Sequence, residues 1–251
     1  MFRVVIPARY GSSRLPGKVL VRIAGKPMIQ WVYERARASL AREVIIATDD
    51  PRVMSAAQSF GAQAVMTALT HASGSDRIAE VARTRAWADT DIVVNVQGDE
   101  PLLPPALIDQ VAGVLEAAPQ AGIATLATPV ESITEMLDPN AVKLVTDAQG
   151  RALYFSRAPI PWERDGAPSG LSSQRVFDGG LRHVGIYAYR VRTLLQLASL
   201  GTGTLEAREK LEQLRALENG IEIRVAGASE RPPPDVNTSA DLERVSALLR
   251  H

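Results

Sequence analysis

The sequence predicts an α/β fold: a mixed, mostly parallel sheet flanked by helices, with a β-rich arm inserted in its second half. Two observations predict it. Short apolar runs rich in β-branched residues alternate with amphipathic stretches from the start of the chain, the rhythm of strands joined by crossover helices. Each chemically loaded loop also follows a strand-like run: ARYGSSRLPGK (8–18), TDD (48–50) and QGDEP (97–101). Sheets of this kind gather ligands at the carboxyl ends of their strands.

Taken in order, FRVVIP (2–7) reads as a strand and MIQWVYERARASL (28–40) as a helix, its apolar residues at helical spacing. EVIIAT (43–48) is a second strand, and Pro51 opens the helix PRVMSAAQSF, where proline at a first helical position is tolerated. QAVM (63–66) is a short strand, SDRIAEVARTRAWA (75–88) a helix, DIVVNV (91–96) a buried strand and PPALIDQVAGVLEAA (104–118) a helix. AVKLVTDAQGRALYFS (141–156) predicts a hairpin turning at Asp147–Gly150. Residues 163–180 read as a mobile loop, LRHVGIYAYR (181–190) as a strand, EAREKLEQLRALENG (206–220) as one helix and IEIRVA (221–226) as the last strand. A final helix, TSADLERVSALLR, is capped by Thr238 or Ser239. No repeat or boundary interrupts the series, so a single domain over residues 1–251 is expected.

The totals exclude several classes of function. Lys plus Arg and Asp plus Glu both come to 28, so no net basic field points to nucleic acid. There is no cysteine, which removes disulfides, thiolate catalysis and Cys-based metal sites and suits a reducing cytoplasm. Val4-Val5-Ile6 is too short for a secretory core, and no apolar run is long enough to span a bilayer. A soluble cytoplasmic protein is therefore expected.

Five stretches carry candidate chemistry. In the loop 8–18, Gly11 and Gly17 enclose five residues and Lys18 precedes Val19, so this is neither a Walker loop nor a dinucleotide fingerprint. Permissive backbone with Arg9, Arg14 and Lys18 nonetheless suits a polyphosphate, offsetting roughly four negative charges on a nucleoside triphosphate. In VNVQGDEP (94–101) a buried strand delivers Gln97, Asp99 and Glu100, and a carboxylate facing a phosphate loop is a natural magnesium ligand. In HASGSDR (71–77), Ser73, Gly74 and Ser75 precede a helix, placed for anion binding or for ordinary capping. In RHVGIYAYR (182–190), alternation puts His183, Gly185 and Tyr187 on one strand face. Glu212 and Gln213 interrupt an otherwise amphipathic helix, a pattern that also suits a salt-bridged exposed face.

Together these stretches resemble the 3-deoxy-manno-octulosonate cytidylyltransferase (CMP-Kdo synthetase) family. The matching runs include VVIPARYGSSRLPGK, HASGSDRIAEV, VNVQGDEPLLP, ALYFSRAPIPW, LRHVGIYAYR and LEQLRALENG, in order from residue 4 to about 245. ALYFSR-x-x-IPW with RHxGIYxYR separates this family from the sialic-acid cytidylyltransferases. The resemblance implies a nucleotide-diphospho-sugar transferase-like, Rossmann-like fold and transfer of CMP from CTP to Kdo, with Mg²⁺ as cofactor and pyrophosphate as the second product. It implies that Pro7, Ala8, Arg9, Arg14, Lys18, Ser73, Gly74, Arg77 and Gln97 bind the nucleotide, with Arg9, Lys18 and Asp99 catalytic. For the sugar it implies Gln97, Arg157, His183, Tyr187, Glu212 and Gln213, with Arg157 matched to the carboxylate. It also implies a homodimer joined through an arm within about 125–185.

The chain departs from the family pattern in two places. G-V-D-T is usual before the last helix, and here the stretch is PDVNTSAD, which puts Asn237 where a second magnesium-binding aspartate is expected, with Asp235 two residues earlier. Upstream of His71, ALT replaces a commoner R-A-D. Two alternatives stand beside the main reading: a cytidylyltransferase for a related ulosonic or amino sugar, and a CTP- or sugar-binding homologue that lost turnover through Asn237.

Overall fold

The computed structural model describes residues 1–11, 15, 17–165, 180–233, 236 and 238–249. Its strands and helices follow one another as β1 (Phe2–Pro7), β2 (Arg22–Ile23), β3 (Lys26–Pro27), α1 (Met28–Arg37), β4 (Glu43–Thr48), α2 (Pro51–Ser59), β5 (Gln63–Met66), α3 (Gly74–Thr84), β6 (Ile92–Asn95) and α4 (Pro105–Glu116). The second half holds β7 (Ile123–Pro129), α5 (Ile133–Leu137), β8 (Lys143–Thr146), β9 (Ala152–Ser156), β10 (Leu181–Arg190), α6 (Val191–Ser199), α7 (Thr204–Glu209), α8 (Gln213–Glu218), β11 (Ile223–Gly227) and α9 (Ser239–Leu248).

The main sheet runs β11-β7-β10-β6-β1-β4-β5. Every pairing along it is parallel except those of β10, which is antiparallel to both β6 and β7. Alternation fills both faces. Val4, Ile6, Val44 and Ile46 pack with Ile29 and Val32 of α1 and Leu107 and Val111 of α4. Val5, Ile45 and Val93 face the other way, against Ile78 and Val81 of α3 and Leu194 of α6. The arm is the hairpin β8–β9, led in by α5.

Two features of this topology open a site. β10 pairs with β6 through Tyr187–Arg190 and with β8 through Leu181–Arg182, so a gap lies beside the middle of β10, past the carboxyl end of β6. β10 is also irregular there: Val184 lies opposite Leu126 and Tyr187 opposite the adjacent Thr125. The Thr125 hydroxyl lies 3.1 Å from the Val184 carbonyl oxygen and 2.8 Å from that of Ile186, giving the bulge a hydrogen-bond partner.

The single helix expected over 206–220 is corrected to two. Lys210, in the left-handed region at φ 55°, ends α7, and Glu212 precedes α8. The cause lies in the core: Arg215 Nε and Nη2 bind the buried Glu206 carboxylate at 2.8 and 2.6 Å. Nine residues along a straight helix turn through about 900°, setting two side chains on opposite faces. The buried ion pair therefore needs the break. The helix expected over 75–88 stops at Thr84, with Ala86 at φ 47° turning the chain so that Trp87 packs back on the core. Thr238, not Ser239, caps α9, accepting from the Asp241 amide.

Candidate active site

The loop after β1 begins beneath the sheet edge, where Ala8 is fully buried and its amide donates to Ala47. It closes on itself as the Gly17 amide donates to the Tyr10 carbonyl at 3.1 Å. Gly17 sits at φ +67° with a Cβ position 3.1 Å from the Tyr10 ring, so a side chain would meet both strain and a neighbour. From there the chain delivers Lys18 to the end of β6.

At that end Gly98 lies so close to β1 that a Cβ would stand 3.1 Å from the Pro7 carbonyl oxygen. Glycine lets the two strand ends meet. Lys18 Nζ then lies 2.5 Å from Asp99 Oδ2 and 2.8 Å from the Val236 carbonyl oxygen. The two charged groups that the sequence assigns to phosphate and metal thus share one place.

Two cavities flank Gln97. The smaller, about 110 Å³, is lined by Pro7, Arg9, His71, Ser73, Gly74, Arg77 and Gln97. Ser73 caps α3 by accepting from the Asp76 amide, which leaves the amides of the first turn at the cavity wall. Arg77 is buried and held by Asp49 at 2.6 Å and by the Thr67 hydroxyl. The larger cavity, about 1010 Å³, fills the gap beside β10 and is lined by Gln97, Asp99, His183, Tyr187, Glu212 and Gln213, among others. Gln97 is the wall common to both.

Burial sets the protonation of the larger cavity. The His183 imidazole is pushed down to about 3 by burial, with the neighbouring Arg182 acting in the same direction. Glu212 is pushed up by burial, against the Ser75 hydroxyl, which donates to Oε1. The Tyr187 phenol is raised well above its usual value by burial, and its hydroxyl is buried in the cavity wall with no hydrogen-bond partner among the described residues. A neutral ring, a carboxyl and a waiting hydroxyl suit a polyhydroxylated ligand.

Comparison with known proteins identifies the family. The cytidylyltransferase family model matches residues 3–223. A 3-deoxy-manno-octulosonate cytidylyltransferase of Thioalkalivibrio sulfidiphilus is 55% identical over 99% of both chains. The enzyme of that name from Pseudomonas syringae pv. tomato is also 55% identical, over 99% of this chain and 98% of its own. The chain belongs to the 3-deoxy-manno-octulosonate cytidylyltransferase family. A solved CMP:2-keto-3-deoxy-manno-octonic acid synthetase, complexed with CTP, superposes with TM-score 0.88 at 45% identity, covering 99% of this chain and 98% of that one. A nucleotidyl transferase of Methanothermobacter thermautotrophicus, at 19% identity and TM-score 0.64, shares the fold.

In this cytidylyltransferase most of the residues assigned from sequence line one of the two cavities; Ala8, buried in the core, and Lys18, paired with Asp99, line neither, and three further differences stand out. Arg157 is not in the lining of either; its Nε donates to the Glu209 carbonyl at 2.7 Å and its Nη1 to that of Pro139 at 2.9 Å. Arg182, held by Glu135 at 2.9 Å, does line the larger cavity. Arg14 and Asn237 lie outside the described residues, as does Asp235 and most of the loop expected over 163–180. Sequence reasoning passed over His71, whose Nε2 meets Glu80 at the smaller cavity, and Thr125, which lies against His183 Nε2; it weighed Ser75 for anion binding or capping, whereas the Ser75 hydroxyl donates to Glu212. His71 and Ser75 sat in a motif already singled out; Thr125 carries no local signal.

Proposed function

We propose that this chain transfers CMP from CTP to the anomeric hydroxyl of Kdo, giving CMP-Kdo and pyrophosphate for lipopolysaccharide assembly. The observation that carries the reading is the shared wall at Gln97, with a small cavity lined by Arg9, Ser73 and Gly74 on one side and a large, polar cavity on the other. CTP in the first would present its α-phosphorus to an acceptor in the second. The sugar oxygen attacks that phosphorus as the bond to the β-phosphate breaks, and the hydroxyl proton passes to water. Such transfer depends on holding reactants in line and on countering negative charge. Arg9 and Lys18 supply positive charge, Gly74 and Ser73 the nucleotide contacts, and His183, Tyr187, Glu212 and Gln213 the sugar contacts.

Magnesium is part of the proposal. Among the described residues no group of three or more His, Asp or Glu side chains could hold a metal alone. A donor set led by Asp99 fits Mg²⁺ all the same, because that ion takes one or two carboxylates and completes its shell with phosphate oxygens and water. When bound, it supplies neutralisation of the triphosphate. No helix among the described residues is long and apolar enough to cross a membrane. We place the enzyme in the cytoplasm as a homodimer joined through the arm within 125–185.

The test is a coupled pyrophosphate assay over CTP, UTP and a panel of ulosonic acids. Release is expected from CTP only when Kdo and Mg²⁺ are both present. No release above background under those conditions would overturn the proposal.

A further inference from the structure

We propose that Val236 is a positioning residue for the Lys18–Asp99 pair, and that the C-terminal helix governs the site through it. The backbone of Val236 is engaged on both sides. Its amide donates to the Asp99 carbonyl oxygen at 3.0 Å, and its carbonyl accepts from Lys18 Nζ at 2.8 Å. Lys18 Nζ is itself 2.5 Å from Asp99 Oδ2, so the three residues close a ring. Lys18 stands 81 residues from Asp99 and 218 from Val236, and no local element holds them together.

The ring needs an anchor, and the Val236 side chain supplies one. It is fully buried in a small cluster with Ile23, Met28 and Val245, separate from the two clusters that fill the faces of the sheet. β2, the start of α1 and the apolar side of α9 build that cluster, and Trp31 Nε1 ties it to the Ile23 carbonyl at 2.9 Å. A β-branched side chain in such a cavity fixes its own backbone closely. Loosening it leaves the ammonium and the carboxylate chemically intact while widening the positions they occupy. Misplacement by about 1 Å costs phosphoryl-type transfer as much as about 10²-fold. Asn237 follows this anchor directly in sequence.

The inference rests on the proposed CMP transfer, and the experiment separates the two. Full-length Val236→Ala, Val245→Ala and Val236→Ile are compared with Leu115→Ala, a core change in a different cluster. All are assayed for CMP-Kdo formation well below their melting temperatures, and CTP affinity is measured by calorimetry. Val236→Ala is expected to lower kcat about tenfold or more, with KM for Kdo within about twofold. Val245→Ala should follow it in part, Val236→Ile should restore turnover, and Leu115→Ala should keep wild-type kcat despite its lower melting temperature. Wild-type kcat in Val236→Ala, or an equal loss in Leu115→Ala, would overturn the inference. A wild-type chain that binds CTP but never releases pyrophosphate would defeat the proposed function alone. Calorimetry would then decide the positioning role: weaker CTP binding in Val236→Ala but not in Leu115→Ala supports it, and equal binding overturns it.

Discussion

The hydroxyl of Ser75, in the first turn of α3, donates to the carboxyl of Glu212, at the break between α7 and α8. Ser75 neighbours the smaller cavity and Glu212 lines the larger, so this bond joins the walls of the two proposed substrate sites. The carboxyl is half-buried, and burial raises its pKa while the serine opposes that rise.

A raised folded-state value means that the ionised carboxylate is less welcome in the folded chain than in the unfolded one. Glu212 therefore costs little stability below the ordinary glutamate value of 4.5 and progressively more as pH rises through its folded value. Glu212→Gln should melt at a higher temperature than wild type at pH 8, with the advantage shrinking at pH 4. Turnover should fall because a proposed sugar contact is altered. Thermal melts at the two pH values decide, and an equal or lower melting temperature for the variant at pH 8 would refute the assignment.

Lys18 and Asp99 are expected to matter for rate more than for folding. Lys18→Ala removes the cation proposed to counter charge that develops during transfer, and such donors are worth about 10²–10³-fold in kcat. Asp99→Asn should be at least as damaging and should weaken the response to added Mg²⁺. Steady-state kinetics over a magnesium series test both. Wild-type rates in the two variants would mean that the phosphates sit elsewhere.

His183 should make the protein acid-sensitive. The Thr125 hydroxyl lies within hydrogen-bond reach of two bulge carbonyls, so its oxygen is left to accept from His183 Nε2–H at 3.0 Å, which fixes a neutral tautomer. With a folded value of about 3 against an ordinary 6.5, the unfolded chain binds the proton first as pH falls. The contribution is complete above pH 6.5 and is lost as pH drops from there toward 3. Denaturant midpoints should decline between pH 7.5 and 5, and His183→Gln should flatten that decline. Identical slopes would count against the neutral ring.

Most strands were legible because their signals are local. β1, β4, β5 and β10 occupy the predicted residues; for β1 and β4, β-branched runs that are largely buried leave few other readings. The loop after β1 stood out for the same reason, as its glycines and cations stand together in sequence. What escaped depends on partners far along the chain. The break at Lys210 follows from the Glu206–Arg215 pair, and the antiparallel sense of β10 follows from its neighbours β6 and β7. Arg157 looked like a free guanidinium fork, yet the carbonyls that occupy its Nε and Nη1 belong to Glu209 and Pro139. Val236 reads as an ordinary apolar residue, because its part is taken by its backbone.

Lys143 gives the sharpest test of how the larger cavity is held in shape. Its side chain is fully buried on β8, and its ammonium donates to three backbone carbonyls: Asp138 at 2.7 Å, Ala141 at 2.5 Å and Arg157 at 2.8 Å. Burial lowers its pKa, and the three acceptors match the three N–H bonds of the charged form. The stretch from Asp138 to Ala141 forms part of the cavity wall, so one side chain pins that wall to the end of β9. Lys143→Met keeps the length and the apolar stem but leaves the carbonyls without donors, at roughly 1–3 kcal/mol for each group left unpaired. The variant should therefore melt earlier and bind Kdo at least about tenfold more weakly, a loss equivalent to about 1.4 kcal/mol. Its CTP affinity should change little, because the smaller cavity draws no lining residue from this stretch. Calorimetry with each substrate separates the outcomes, and equal losses for CTP and Kdo would show that Lys143 supports the whole fold and not this wall.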